Sequence, residues 1–221
     1  MITVLLDKAE FEYDIHSLVK AFYPKEEVYV STKDKEKKEE PVHYHMDVQF
    51  APEEIIFSWK RVEASEDNAN QTGITKCVAV DYTNRKETKN SLKRTLYRLL
   101  SEYTGVELPW GNLTGIRPTK IPMALLEEGK SEEEIARYMK ETYFTSDEKI
   151  KLSIEIAERE LELLHKLDYE EGYSLYIGIP FCPTTCLYCS FTSYSMSAWK
   201  NRMDDYLSAL EKELDYTAVK F

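Results

Sequence analysis

No apolar run among these 221 residues is long enough to span a bilayer, which sets aside a helical membrane protein. The opening, Met1-Ile-Thr-Val-Leu-Leu-Asp-Lys, is too short and too soon charged to be a secretory signal. Positive charge is in short supply: 29 Lys and Arg against 40 Asp and Glu give a formal net charge of -11. So acidic a chain is a poor polyelectrolyte partner for nucleic acid. Cysteine is scarce too, and three of the four stand together, which is not the pattern of a disulfide framework. These features fit a cytoplasmic protein with a metal site. What remains is an ordinary globular composition, 43% apolar, with enough chain for one large or two modest cores.

The first part of the chain reads as α+β. Ile2–Leu6 alternates as a strand. Phe11, Ile15, Leu18, Val19 and Phe22 recur on one helical face, ended by Pro24. Further strands are expected at 27–32, 43–50, 55–63 and 75–81. The charge run Lys33–Glu40 is expected as a solvated loop, and 64–73 as a polar turn. Leu92, Leu96, Leu99, Leu100 and Tyr103 mark a helix closed by Gly105. Together these suggest a ferredoxin-like α+β domain over residues 1–108.

Residues 109–172 read as a helical connector. Ser131-x-x-Glu134 and Thr145-x-x-Glu148 are capping-box patterns, and Ile150, Ile154, Ala157, Leu161 and Leu164 line one helix face. The connector opens with Trp110-Gly-Asn-Leu-Thr-Gly-Ile-Arg-Pro-Thr-Lys120. There Pro118 suits the first turn of a helix, and Arg117 and Lys120 suit an anion; the alternative is a rigid joint with Arg117 paired to a carboxylate. His43 and His45 share one strand face, which reads as a surface pair for want of a third ligand. Cys77, inside a strand pattern, reads as a small buried residue.

The chemistry sits in the last part. A strand-like run, Ser174–Pro180, leads into Cys182-Pro-Thr-Thr-Cys186-Leu-Tyr-Cys189. Three thiolates at C-x3-C-x2-C spacing can hold three corners of a [4Fe–4S] cluster and leave one iron open. A zinc site would need a further ligand, for which His165 is the nearest candidate. Met203, Leu207, Leu210 and Leu214 then mark an amphipathic helix. A strand and crossover helix alone are half of a βαβ unit, so the chain reads as the front end of a longer protein, inactive by itself.

Tyr176-Ile-Gly-Ile-Pro-Phe-Cys182-x3-Cys186-x-Tyr188-Cys189-Ser-Phe191 resembles the opening of the radical S-adenosylmethionine (SAM) enzymes, in the group of the oxygen-independent coproporphyrinogen III dehydrogenases. The Trp110–Lys120 segment and Cys189-Ser-Phe-Thr-Ser-Tyr194 look like its HemZ-like branch, which has an extra N-terminal domain. The resemblance implies that residues 173–221 begin a (β/α) barrel. It implies a [4Fe–4S] cluster on Cys182, Cys186 and Cys189, with SAM on the open iron. Cofactor contacts would come from Tyr176, Tyr188 and Phe191, with Tyr188 against the adenine. Reductive cleavage of SAM would start oxidative decarboxylation of a porphyrinogen propionate. The implied partners are a porphyrinogen or haem-like molecule and an electron donor such as flavodoxin or ferredoxin. The decarboxylating enzymes carry another cysteine two positions after the third ligand, where this chain has Phe191. In that respect it resembles the haem-trafficking relatives. A radical SAM enzyme acting on RNA is a third reading, against which the acidic balance argues.

Overall fold

The computed structural model describes residues 1–32, 42–62, 73–167, 171–191 and 193–221. The expected loop at 33–40 and nearly all of the expected turn at 64–73 lie outside them. The chain divides into two compact units, Met1–Asp168 and Tyr169–Phe221.

The first unit is built on one mixed sheet. Its strands are β1 (Ile2–Leu6), β2 (Val28–Thr32), β3 (Tyr44–Phe50), β4 (Glu54–Arg61) and β5 (Gly73–Ala79), in the order β2-β1-β3-β4-β5. β1 is parallel to both neighbours, with Ile2 opposite Val28 and Tyr44; β3, β4 and β5 form an antiparallel meander. The helix between β1 and β2, α1 (Glu12–Phe22), makes the crossover that a parallel pair requires. After β5 comes α2 (Arg85–Thr104), capped by the Asn84 side chain and closed by Gly105 at φ 69°.

Alternation decides the core. Ile2, Val4 and Leu6 of β1, Met46, Val48 and Phe50 of β3, and Ile55, Phe57 and Trp59 of β4 all point to one sheet face. Ile15, Leu18 and Val19 of α1 and Leu92, Leu96, Leu99 and Leu100 of α2 share that core. The ferredoxin-like expectation is corrected. The elements run β-α-β-β-β-β-α, not β-α-β-β-α-β, because three strands follow one another as a meander before the second helix forms.

α3 (Lys120–Glu127), α4 (Glu132–Tyr143) and α5 (Asp147–Leu164) follow. A second cluster, Ile135, Met139, Ile150 and Ile154, joins α4 to α5 and receives Leu113, Ile121, Leu125 and Leu126. The capping box of α4 forms as expected, with Ser131 and Glu134 bonded reciprocally. That of α5 shifts by one residue. Ser146, in extended geometry, is the cap and accepts from the Lys149 amide, while the Thr145 side chain turns inward. Pro118 likewise stands before α3; the proline inside its first turn is Pro122.

The second unit is small. β6 (Phe181–Cys182) pairs in parallel with β7 (Tyr194–Ser195), and α6 (Met196–Trp199), a 3-10 turn at Lys200–Arg202 and α7 (Met203–Lys220) follow. The expected strand at Ser174–Pro180 is not formed. Among the described residues no strand lies beside it, and a strand without a neighbour has no ladder to join. The inner face of α7 is Met203, Tyr206, Leu210 and Leu214; Leu207 is exposed and Tyr206 takes the place expected for it. None of the described residues of this unit is buried.

Candidate functional site

Cys182 closes β6, opposite Ser195. The Tyr194 amide donates to the Pro180 carbonyl at 2.7 Å, so the chain leaves and returns at one point and the three cysteines lie on the loop between. Within that loop the Cys189 amide donates to the Cys186 carbonyl at 3.0 Å, a tight turn that carries two of the three cysteines. The Cys189 thiol lies 3.9 Å from the Phe191 carbonyl oxygen. All three thiols are free; Cys182 and Cys189 are half-buried and Cys186 is exposed.

The donor set fits an iron–sulfur cluster by its chemistry: three free thiols with no disulfide, on one open loop whose tip takes the sharp turn that inward-facing ligands need. Their arrangement is not closed. Among the described residues no three His, Cys, Asp or Glu side chains are gathered as a metal-holding group. The residues expected at SAM stand in solvent: Tyr176 is 85% exposed, Tyr188 89% and Phe191 79%. The Tyr176 ring lies close to Gly178, where a Cβ would come within 3.3 Å of it.

The base of the loop is aromatic. The Phe181 ring stands nearly perpendicular to Tyr206 at 5.1 Å between centroids and tilted to Trp199 at 6.0 Å, and Tyr194 meets Trp199 at 5.5 Å. Arg202 lies 5.3 Å over the Trp199 ring, and the Tyr206 hydroxyl donates to the Gly178 carbonyl. Trp199 and Tyr206 escaped the sequence reading. The signal was present, since Trp199, Met203, Tyr206 and Leu210 recur at i, i+4, i+7 and i+11, one helical face.

The weaker candidates resolve into structure. Arg117 lies 3.4 Å from Glu160, the carboxylate pairing of the joint reading. Around it, Gly111 at φ 56° presses against α4: a Cβ there would come within 1.9 Å of the Tyr143 carbonyl oxygen, which accepts from the Asn112 amide at 2.9 Å. His43 contacts Glu26 at 3.1 Å, while His45 contacts Thr3 at 2.8 Å and Asp47 at 3.2 Å. Cys77 is exposed, contrary to expectation. β5 is an edge strand, and Cys77 shares its solvent face with Gly73, Thr75 and Ala79 while Ile74 and Val78 pack on the core. His165 caps α5.

One buried charge stands apart. Lys93 of α2 is 6% exposed and donates to the Thr114 hydroxyl at 3.0 Å. Burial pushes its ammonium down from 10.5 to about 8, against the pull of Asp14. Asp14 itself is held by Lys89 at 2.8 Å. Burial also raises the Tyr23 and Tyr143 hydroxyls well above the ordinary phenol range.

No protein-family model matches the chain. It is similar to the oxygen-independent coproporphyrinogen-III oxidase-like protein HemZ of Bacillus subtilis (strain 168), 39% identical over 144 residues, which is 63% of this chain and 29% of that protein. It is also similar to the heme chaperone HemW of the same organism, 45% identical over 47 residues, 21% of this chain and 12% of that one. The chain thus spans less than a third of the length of either relative. Among the described residues, no helix is long and apolar enough to cross a membrane.

Proposed function

We propose that the second unit carries a [4Fe–4S] site on Cys182, Cys186 and Cys189, serving SAM-dependent oxidation of a porphyrinogen; the similarity to HemZ supports this reading. The observation that carries this reading is the loop itself: three free thiols between chain ends tied by β6 and β7, with Cys186 and Cys189 on one turn. Such a cluster, with SAM bound, supplies one-electron chemistry that side chains lack. The chain's own residues have simpler tasks. The three thiolates would hold iron, and Pro183 stiffens the loop after the first of them. Tyr188, Tyr176 and Phe191 would lend apolar surface to SAM and keep water from it. In this reading residues 173–221 supply the opening strand segment, loop and helix of a (β/α) barrel, the strand forming where a neighbouring barrel strand gives it a ladder to join. Residues 1–108 and 109–172 form the domain and connector ahead of it. The protein would work in the cytoplasm, taking electrons from a flavodoxin- or ferredoxin-type donor.

The test is anaerobic reconstitution with iron and sulfide. Purified chain should bind about four irons per molecule, and Cys182→Ala, Cys186→Ala or Cys189→Ala should each lose most of them. Zinc in place of iron, or iron uptake indifferent to all three replacements, would refute the site. The reaction is tested separately, by anaerobic conversion of coproporphyrinogen III by the full-length protein with SAM and a reductant.

A second reading has its own support. Phe191 occupies the position two after Cys189, where the decarboxylating enzymes have cysteine, and the chain is similar to a heme chaperone. A haem-trafficking role would keep the cysteine site without the decarboxylation. Stoichiometric haem binding with no turnover of coproporphyrinogen would favour it.

A further inference from the structure

We propose that Tyr206 and Trp199 are positioning residues: they hold Cys182 at the root of the cysteine loop and so preset one ligand of three before any metal arrives. A two-residue ladder such as β6–β7 is marginal alone. Here it is propped from behind. Phe181 precedes Cys182, pairs with Tyr194, and is touched by both Trp199 and Tyr206. Trp199 also touches Tyr194, so one ring reaches both strands. The Tyr206 hydroxyl reaches back from α7 to the Gly178 carbonyl and ties the segment that feeds β6 to the helix.

The three cysteines are therefore unequal. Cys182 is fixed by contacts that cross the unit. Cys189 is fixed by a local turn to Cys186 and a thiol contact to Phe191. Cys186 is exposed at the tip. A site built this way spends its conformational entropy in two stages: folding orders the root, and the ligand orders the tip. The aromatic prop serves the proposed cluster only if these cysteines are its ligands, but the prop can be tested without a cluster.

The experiment measures alkylation of each cysteine in the metal-free, reduced chain by iodoacetamide, followed by mass spectrometry. Cys182 is half-buried, so its rate rises as the root opens more often. Wild-type chain should alkylate Cys186 before Cys182. Tyr206→Phe, which keeps the ring and loses one hydrogen bond, should speed Cys182 about fivefold, the factor for roughly 1 kcal/mol. Tyr206→Leu and Trp199→Leu should speed it more, on the order of thirtyfold for a hydrogen bond and an aromatic contact together. Cys186 and Cys77 should be unmoved. Equal rates at Cys182 and Cys186 in the wild type, or no change at Cys182 in Tyr206→Phe, would overturn the proposal. If Tyr206→Leu speeds Cys182, Cys186 and Cys189 together, the second unit has unfolded in that variant and Tyr206→Phe decides. Wild-type chain that takes up no iron on reconstitution sinks the ligand reading instead, and the alkylation rates still judge the prop.

Discussion

Replacing Lys93 by methionine should stabilise the first unit at neutral pH and remove part of its pH dependence. The Lys93 side chain is nearly fully buried, and its ammonium donates to a neutral partner, the Thr114 hydroxyl. The carboxylate that acts on it, Asp14, already faces Lys89. Holding the charged form in that place is unfavourable, which is why its proton is released near 8 and not near 10.5. A displacement of that size corresponds to roughly 3 kcal/mol against the charged state. Nearby solvent reduces it to about 1–2 kcal/mol. The sign follows from proton counting. Between 8 and 10.5 the unfolded chain binds the proton more tightly, so the stability of the wild type rises with pH across that window. Below 8 the full penalty is present. Methionine keeps much of the stem's packing and has no charge to bury; it leaves the half-buried Thr114 hydroxyl to find water. Urea unfolding followed by circular dichroism, at steps from pH 6 to 10, should place Lys93→Met about 1 kcal/mol above the wild type at pH 7, the gap closing towards pH 10. A variant less stable at pH 7, or a gap that does not change with pH, would refute the account.

Gly111→Ala should destabilise the first unit by more than about 2 kcal/mol, since the residue combines left-handed geometry with a backbone oxygen where the methyl must go; thermal melting checks it. Ser146→Ala should cost about 1 kcal/mol as a lost cap, while Thr145→Val should be neutral or stabilising, because its buried hydroxyl has no partner among the described residues. The reverse order in urea unfolding would restore Thr145 as the cap. Exposed Cys77 should be alkylated by iodoacetamide in the native chain without denaturant; protection there would show its edge strand covered.

Much of the fold was legible because its signals are local. Periods of two and of 3.6 place the sheet strands and α1, α2 and α5, a capping box places α4, and the Ser131 and Gly105 ends follow from backbone groups seeking partners within a few residues. Local signals also misled where neighbours decide. Thr145 and Ser146 are both competent caps, and only the Pro109 carbonyl, taking the Ser146 amide at 3.0 Å, settles the register. Cys77 was expected in the core because cysteine within a strand is by default a small buried residue; its place on the solvent face is fixed by the pairing of β5 with β4.

The site divides the same way. The types and spacing of Cys182, Cys186 and Cys189 were determined by the sequence alone, because ligand chemistry depends on the thiols and the short chain between them. That Cys182 stands at a propped root and Cys186 at an open tip was decided by tertiary structure. Its cause is the meeting of Phe181, Tyr194, Trp199 and Tyr206, residues up to 25 positions apart, and no local pattern encodes a contact made through space.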